Sequence, residues 1–542
     1  MQLKPSLIAS VLSVPLVLGG AGASADQPTG VPNANPKVTG VTSPTALSPE
    51  LAQIARAQGS TPVENPGPVK YYGYLDDQPN LLPAPGSNVE ATKTEPDKNT
   101  YLVLHGLSGA DPDYDYGTHF LFQGHEAGTP GTITRINLDA DAAHRVTVLA
   151  NFESDGATPL PPIDGSTWYP WADRLLFSQE GDGSATGGIW QATLDFPSEV
   201  ENLLGVFGRA GYEGIQADSD GNIWLVEDIG GSTVAGARLP NSFIYRFTPK
   251  NRHDLKQGGK LRALQVWSLT DASHPPTHPI VFQTASALTQ DIKDLHTYGH
   301  VFQTRWVLLH DTDVDGFASF SASALGKARG ATPFKRPENA QFRPGTGFRE
   351  FFFDETGDTS ATSTAIPDHG GFGAVQKLVQ SSPSASSGWL TLFFKSDLEH
   401  AAFDNCAFWD EDHVVFVEDR GDGLHAQGNA LDSGWLLDVR KDYSNPANKP
   451  VRLIAEGRDP SATIDSALLG TVGFQNEGDN EITGIHVSDG DASVHGLLGA
   501  KDPHPFNDGW RVFYTAQHGD NVTWEIVREP SRDDDDDHRH DH

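Results

Sequence analysis

The sequence has 542 residues, with 38 basic and 72 acidic side chains, so its formal net charge is −34 at pH 7. This charge argues against nucleic acid or an anionic membrane surface as a partner. The only cysteine, Cys406, excludes an intramolecular disulfide, a cysteine-based zinc site and a cysteine-ligated iron–sulfur cluster. A chain of this length forms either two to four domains or one large closed β architecture.

The N-terminus has the features of a secretory signal peptide. Lys4 precedes an apolar run over Leu7–Leu18, and the small residues Ala23–Ala25 follow it. We predict cleavage before Asp26, so that residues 1–25 form the signal peptide. No twin arginine precedes the apolar run, which favours the general export route and a secreted or periplasmic protein. No later stretch is long and apolar enough for a membrane helix.

Three further regions follow the predicted signal peptide. Residues 26–69 are rich in Pro, Ser and Thr and are predicted to be a linker, with one short helix near Pro49–Gln58. Residues 70–528 are predicted to be the globular domain. Residues 529–542 form an acidic, His-rich tail, which is either simply solvated or holds divalent cations loosely.

The globular part is predicted to be all-β, because short β-branched and aromatic runs end at Gly, Asp and Asn. In one recurring pattern a short apolar strand ends in a polar or acidic residue before a turn. The six copies are Arg174–Gly181, Asn222–Asp228, Arg305–Asp311, Thr391–Asp397, His413–Asp419 and Arg511–His518. Six copies indicate a repeat architecture.

Two copies belong to a longer frame in which two acids are fourteen residues apart. These acids are Glu213 and Glu227 in one frame, and Asp404 and Glu418 in the other. A hairpin of two short strands places the two acids of a frame at the same end of a blade. In a β-propeller these ends open on a central channel, where converging carboxylates need cations. Oxygen ligands favour calcium or magnesium, and also suit manganese.

The order of short motifs along the chain resembles that of the PhoX-type alkaline phosphatases. These motifs are Phe122–Glu126, Trp168–Trp171, Leu176–Glu180, Gly208–Gly214, Val226–Asp228, Arg336–Glu338, Asp404–Asn405, Asn480–Gly484 and Gln517–Gly519. The resemblance covers roughly residues 70 to 525. It implies a six-bladed β-propeller with loop insertions and a secreted, metal-dependent phosphatase activity.

The resemblance also implies functional residues and a partner. The metal ligands would be Glu180, Glu213, Glu338 and Asp404. Arg336 would bind a phosphate oxygen in catalysis, through a bidentate contact that lysine could not make. Additional metal or channel residues are Glu126, Glu227, Glu418 and Glu481. The partner would be a small phosphorylated substrate, and with no sequence signal for oligomerisation we expect a monomer.

Two departures from the family pattern remove possible metal ligands. Gln179 stands where the family has an iron-ligating cysteine, and Ala340 stands where it has a second glutamate. A third departure is Tyr212, which stands where the family has a histidine before the residue that matches Glu213. The loss of a thiolate and a carboxylate makes an iron pair doubtful and favours a calcium-only or altered centre.

Three functions therefore remain open from the sequence. The first is a calcium-dependent phosphoesterase that hydrolyses organic phosphate esters. The second is a calcium-dependent propeller lactonase, which would also use converging acidic and amide side chains. The third is a calcium-stabilised, non-catalytic propeller that binds a ligand, which the departures at Gln179 and Ala340 favour.

Overall fold

The computed structural model describes residues 28–32, 45–75, 92–269, 277–358, 366–420, 424, 427–456, 463–465 and 481–529. The chain is mostly β, with 41% strand and 8% helix. The predicted signal peptide and all of the predicted tail beyond residue 529 lie outside the described residues. Within the described ranges, no helix has the length and apolar character that a bilayer span requires.

Six antiparallel blades follow one another along the chain, after two short strands, Thr45–Leu47 (β1) and Leu51–Ala57 (β2). Blade 1 consists of Pro96–Val103 (β3), His119–His125 (β4), Thr132–Asn137 (β5) and Val146–Ala150 (β6). Blade 2 consists of Ser166–Tyr169 (β7), Arg174–Gln179 (β8), Gly188–Ala192 (β9) and Val200–Asn202 (β10). Blade 3 consists of Tyr212–Ala217 (β11), Ile223–Glu227 (β12), Ile244–Pro249 (β15) and Gly259–Val266 (β16), with a ribbon of Thr233–Val234 (β13) and Ala237–Arg238 (β14) inserted.

The second half of the ring has the same plan. Phe302–Asp311 (β17) pairs with the outer strands of blades 3 and 4 and joins them into one sheet. Blade 4 consists of Ala340–Phe342 (β18), Glu350–Glu355 (β19), Ala374–Gln380 (β20) and Ser387–Lys395 (β21). Blade 5 consists of Phe403–Phe408 (β22), His413–Glu418 (β23), Ser433–Asp438 (β24) and Val451–Glu456 (β25). Blade 6 contains Glu481–Ser488 (β26), Arg511–Gln517 (β27) and Val522–Arg528 (β28).

Helices are short and lie in the connections. The α-helices are Leu204–Phe207 (α1), Gln290–Leu295 (α2), Thr312–Asp315 (α3) and Ala322–Arg329 (α4). The 3-10 turns are Leu255–Gln257, Pro367–His369 and Val494–Gly496.

The first strands of the six blades form a closed ring. β3, β7, β11, β18, β22 and β26 each contact the next, and β26 contacts β3. A ring of four-stranded sheets with their first strands at the centre is a six-bladed propeller, so the predicted fold class is confirmed.

The ring is closed by a strand from the other end of the chain. β2 pairs antiparallel with β28, from Leu51 opposite Arg528 to Ala57 opposite Thr523, and so supplies the outer strand of blade 6. This segment lies inside the predicted linker, and the short helix predicted there is wrong. Pairing along β28 decides its conformation, which local composition could not indicate.

The repeated sequence pattern corresponds to two kinds of strand. Four copies are the second strands of their blades, namely β8, β12, β23 and β27. The other two copies are β17 and β21, which pair with each other where blades 3 and 4 join. The second strands of blades 1 and 4, β4 and β19, were not among the copies.

Aromatic side chains pack the blades against each other. Trp224 of blade 3 is almost completely buried, and its ring centroid lies 5.1 Å from those of Trp306 and Phe342, both in edge-on contact. Phe342 belongs to blade 4, so this contact crosses between blades. Burying a large apolar side chain contributes about 1.5–3 kcal/mol, and such contacts hold the inner strands at fixed positions around the channel.

Candidate metal centre

Every inner strand has an acidic residue at, or within two residues of, its first position. These acids are Asp97, Asp164, Glu213, Glu338, Asp404 and Glu481. Each blade is an antiparallel meander that begins at the channel, so the six inner strands start at the same end of the ring. The six acids therefore meet at one mouth of the channel.

Three further acids come from the second strands of blades 1 to 3. Glu126, Glu180 and Asp228 directly follow β4, β8 and β12. In an antiparallel pair the end of the second strand lies beside the start of the first. These side chains therefore reach the same mouth as the inner-strand acids.

The nine acids form one continuous group, which we call the carboxylate cluster. It contains four overlapping triplets, in each of which one carboxylate oxygen per residue lies within 4.8 Å of the others. The triplets are Asp97, Glu126 and Glu481; Glu126, Asp164 and Glu180; Glu180, Glu213 and Asp228; and Glu213, Glu338 and Asp404. The structure thus brings the four predicted ligands together with the predicted channel residues Glu126 and Glu481.

Burial and mutual repulsion make the charged forms of these carboxyls costly. Loss of solvation, followed by the charges of neighbouring acids, raises the pKa of Glu126 and Glu213 well above the usual value. Burial and the charge of Asp97 raise the pKa of Asp404 to about 8. Burial also raises the pKa of five other members, namely Asp97, Asp164, Glu180, Glu338 and Glu481. Such a group is stable in its charged form only with cations among the carboxylates.

Several carboxylate oxygens in the cluster have no partner that would balance their charge. No hydrogen-bond donor among the described residues reaches either oxygen of Asp164 or Oδ2 of Asp404, and both side chains are 2% exposed. Buried anionic oxygens without donors carry a large desolvation penalty. They are suitable ligands for a cation.

Arg336 lies at the edge of the cluster and lines the cavity that opens from it. Its Nη2 atom lies 2.7 Å from Oδ2 of Asp228 and 2.8 Å from Oε1 of Glu338. Burial lowers the pKa of Arg336, but the charges of Asp228 and Glu338 outweigh this and raise it well above its usual value. The guanidinium is therefore permanently charged and held in place.

Lys98 supplies a second positive charge from within the ring. It is 1% exposed and donates a hydrogen bond of 2.5 Å from Nζ to Oδ1 of Asn339. Lys98 follows Asp97 on β3, and Asn339 follows Glu338 on the opposite side of the channel. The sequence analysis did not identify this lysine, because nothing in its local sequence separates it from a surface lysine.

The cluster opens to solvent through a cavity of about 530 Å³. Its charged lining residues are Glu180, Asp182, Asp228, Arg238, Arg336 and Asp419. Acids and arginines thus face the same space, a combination that suits a phosphate group held by both metal ions and a guanidinium.

Two predicted channel residues lie away from the cluster. Glu227 accepts hydrogen bonds from the hydroxyl of Tyr245 at 2.6 Å and the amide of Phe243 at 3.0 Å. Glu418 accepts them from the amide of Ala401 at 3.0 Å and Nε1 of Trp435 at 2.9 Å. Both glutamates are completely buried inside their blades.

The reason is the alternation of side chains along a strand. Successive side chains point to opposite sides, so Asp228 and Asp419 face the cavity while Glu227 and Glu418 point back into the blade. A hairpin fixes the end of the blade at which the second strand stops, but it does not fix which of two adjacent side chains faces the channel.

The sequence analysis missed Asp97, Asp164 and Asp228 as members of the cluster. Asp228 directly follows Glu227 in a motif that the analysis quoted. Asp97 and Asp164 would have been found by a search for an acid at the start of every inner strand, but that search needs the blade boundaries.

The departures from the family pattern at Gln179 and Ala340 contribute no anionic ligand. Gln179 turns into blade 2 and accepts a hydrogen bond of 3.2 Å from the amide of Gly187. Ala340 is buried in β18, and its amide donates to Oδ1 of Asn339 at 3.0 Å. The donor set of the cluster therefore consists of oxygens alone.

Residues 235–488 match the model of the family described as alkaline phosphatase PhoX. No curated protein matches the chain in sequence. The match covers blades 4 and 5 completely and includes Glu338, Asp404 and Glu481 of the cluster.

Solved structures with similar architecture are distant in sequence. A luciferin-regenerating enzyme is 8% identical, with 80% of this chain and 91% of that chain covered and a TM-score of 0.37. An aldose sugar dehydrogenase from Streptomyces coelicolor, in its PQQ-bound form, is 12% identical, with 80% and 100% covered and a TM-score of 0.30. An α-L-arabinanase from Cellvibrio cellulosa, complexed with arabinohexaose, is 12% identical, with 66% and 95% covered and a TM-score of 0.28. Similarity at this level says nothing about activity.

Proposed function

Since the chain belongs to the PhoX family of alkaline phosphatases, we propose that it is an exported, calcium-dependent phosphoesterase that hydrolyses organic phosphate esters at the carboxylate cluster. Membership of the family supports a phosphatase-type hydrolase with small phosphorylated substrates. The ion, the site residues and export are the parts that we propose.

The observation that carries this proposal is that Arg336 and the carboxylate cluster border one open cavity. A site that binds only a structural ion needs neither an opening nor a fixed arginine. Phosphoryl transfer needs both, because the phosphate must enter and its oxygens must be held by positive groups.

The residues fit a hard divalent cation. Glu213, Glu338 and Asp404 form a buried triplet of carboxylates, and Asp404 contributes an oxygen that no described donor reaches. Calcium takes several oxygen ligands in a flexible arrangement, whereas iron prefers nitrogen or sulfur donors beside its carboxylates. With Gln179 turned into its blade, the site offers no soft ligand, so calcium is the ion that we propose.

The ligands would be Glu180, Glu213, Glu338 and Asp404, with Glu126 and Glu481 at the neighbouring triplets. When bound, divalent ions neutralise phosphate oxygens and lower the pKa of a water molecule that attacks phosphorus. The chain itself orients the substrate. Asp228 accepts from both Nε and Nη2 of Arg336, which fixes the plane of the guanidinium at the cavity wall.

A fixed guanidinium saves the entropy cost of ordering a long side chain around the phosphate. Arg336 adopts a left-handed backbone conformation, with φ of 55°. Holding a non-glycine residue there costs of order 1 kcal/mol, which the ion pairs with Asp228 and Glu338 offset. The strain is consistent with a functional demand on the position of this side chain.

The direct test is hydrolysis of a chromogenic phosphate monoester by the purified protein, before and after treatment with a calcium chelator. We expect turnover that the chelator abolishes and that added calcium restores, and elemental analysis should detect calcium. If no chelator-sensitive turnover is found between pH 7 and pH 10, the proposed phosphoesterase activity is refuted.

A matched pair of variants distinguishes the enzyme from a calcium-stabilised binding protein. Glu213→Gln removes one charge from the cluster, and Glu411→Gln removes one from an exposed turn between β22 and β23 at the other end of blade 5. If the protein is an enzyme, Glu213→Gln loses turnover while it remains folded, and Glu411→Gln keeps both its turnover and its fold. Turnover of lactones but not of phosphate esters would instead favour the lactonase.

A further inference from the structure

We propose that Arg238 determines substrate specificity by binding a second anionic group, carboxylate or phosphate, on the same phosphate ester whose scissile phosphate faces Arg336. This inference rests on the proposed phosphoesterase. It identifies the preferred substrates as phosphate monoesters that carry another negative charge a few bonds away.

The inserted ribbon of blade 3 directs Arg238 into the cavity. β13 and β14 pair from Thr233 opposite Arg238 to Val234 opposite Ala237. Ala237 and Leu239 are buried against Ala287, whereas Arg238 between them is half-buried and lines the cavity. Because side chains alternate along a strand, anchoring both neighbours forces the guanidinium to face the open space.

Arg238 and Arg336 approach the same backbone position. A Cβ built on Gly230 would lie 2.4 Å from Nη1 of Arg238 and 3.9 Å from Cδ of Arg336. The two arginine side chains are therefore immediate neighbours along one wall. A small molecule with two anionic groups can meet both of them.

The guanidinium of Arg238 is less engaged by acidic side chains of the protein than that of Arg336. No acceptor among the described residues takes a hydrogen bond from its guanidinium, whereas Arg336 is committed to Asp228 and Glu338. Asp358 accepts a hydrogen bond from the backbone amide of Arg238 and is also influenced by the charge of its guanidinium.

Asp358 already has its own counter-ion. It is completely buried and lies 3.1 Å from Nζ of Lys335, which is also buried. Arg238 therefore adds a second positive charge, beside Arg336, to the wall of a cavity whose other charged residues are acidic. An anionic group that enters the cavity is attracted to these two guanidinium groups and repelled by the acids of the lining.

The test compares two substrates that differ in one group. The compounds are 3-phosphoglycerate, which carries a carboxylate, and glycerol 3-phosphate, which carries a hydroxyl-bearing carbon in its place. We expect kcat/KM to favour 3-phosphoglycerate by on the order of tenfold, as one charge-assisted hydrogen bond supplies. Arg238→Ala should bring the ratio close to one, and Arg238→Lys should leave an intermediate value.

Two further variants complete the experiment. Gly230→Ala displaces the guanidinium of Arg238 without removing it and should also lower the ratio. Arg440→Ala is the control, because it removes an equally charged side chain that is 57% exposed on another blade. The thermal unfolding of every variant is measured with calcium present, so that loss of folding is recognised.

Binding of both compounds to the calcium-loaded full chain is measured by calorimetry in parallel. If neither compound is hydrolysed, the proposed phosphoesterase fails, while the ratio of the two affinities still tests Arg238. A ratio near one in the unmodified protein, a ratio unchanged in Arg238→Ala, or no binding of either compound would overturn the role of Arg238.

Discussion

Arg336 is locked to Asp228 by three hydrogen bonds: Nε donates to Oδ1 at 2.9 Å and to Oδ2 at 3.0 Å, and Nη2 donates to Oδ2 at 2.7 Å. Asp228 is also a member of the carboxylate cluster, where its oxygen lies within 4.8 Å of those of Glu180 and Glu213. One carboxylate therefore couples the proposed phosphate-binding cation to the proposed metal ligands. The orientation of Arg336 depends on the integrity of the cluster.

The first prediction concerns the geometry of this arginine. Arg336→Lys keeps the charge but cannot make the two-point contact with Asp228 and a bound phosphate. We expect kcat/KM for a phosphate monoester to fall by about 10- to 100-fold, measured by initial rates with calcium at saturation. Arg440→Lys is the control and should keep the original rate. Equal rates for the two variants would show that Arg336 has only a structural role.

The second prediction separates the two acids of one sequence frame. Glu213→Gln should weaken calcium binding at least about tenfold, because a cluster ligand loses its charge. Glu227→Gln should leave calcium affinity unchanged and cost about 1–2 kcal/mol of stability, because Glu227 accepts hydrogen bonds from Phe243, Tyr245 and Ser323 and lies away from the carboxylate cluster. Calorimetric titration with calcium and urea unfolding provide the two readouts. Weakened calcium binding in Glu227→Gln would contradict the assignment.

The third prediction is a pH dependence of the metal-free protein. The folded-state pKa values of eight cluster carboxyls are raised, that of Asp404 from 3.8 to about 8. Between the unfolded and folded pKa values the folded state binds more protons, so stability decreases as pH rises through this window. We expect a lower urea midpoint at pH 8 than at pH 5 in the presence of chelator.

Calcium should reverse this trend, because the ion replaces the protons among the carboxylates and binds only the folded state. Added calcium should therefore raise the urea midpoint at pH 8 by more than it raises the urea midpoint at pH 5. A metal-free midpoint that rises from pH 5 to pH 8 would mean that the carboxylates do not repel one another in solution.

The fourth prediction concerns the closure of the ring. Removal of residues 1–57 exposes the edge of β28 and leaves blade 6 with three strands. We expect a thermal midpoint at least about 10 °C lower, or aggregation through the free edge. A chain that begins at Ser48 is the control, because it also lacks β1 and its pairing with β25 but keeps β2, and it should remain close to the full-length chain in stability. If the shorter chain is equally stable, β2 does not contribute to closure.

Sequence and structure agree where a local pattern carries the information. The alternation and turn residues that bound β8, β12, β23 and β27 are local, so the β class and the repeat were predictable from the chain alone. The strand-end position of Glu180 and the inner-strand positions of Glu213 and Asp404 were predictable for the same reason. The order of motifs identified the family, which the match over residues 235–488 supports.

Features that depend on distant partners were not predictable. β2 is a strand because β28, more than 460 residues later, offers an open edge. Lys98 is interior because Asn339 accepts its hydrogen bond from across the channel. Glu227 and Asp228 are adjacent acidic residues, yet the pleat of β12 buries Glu227 within the blade and turns Asp228 to the cavity. The residue types, their spacing and the strand pattern thus belong to the sequence. Side-chain direction, ring closure and the meeting of nine carboxylates arise only when six blades pack around one axis, since each contact joins segments that the chain itself keeps far apart.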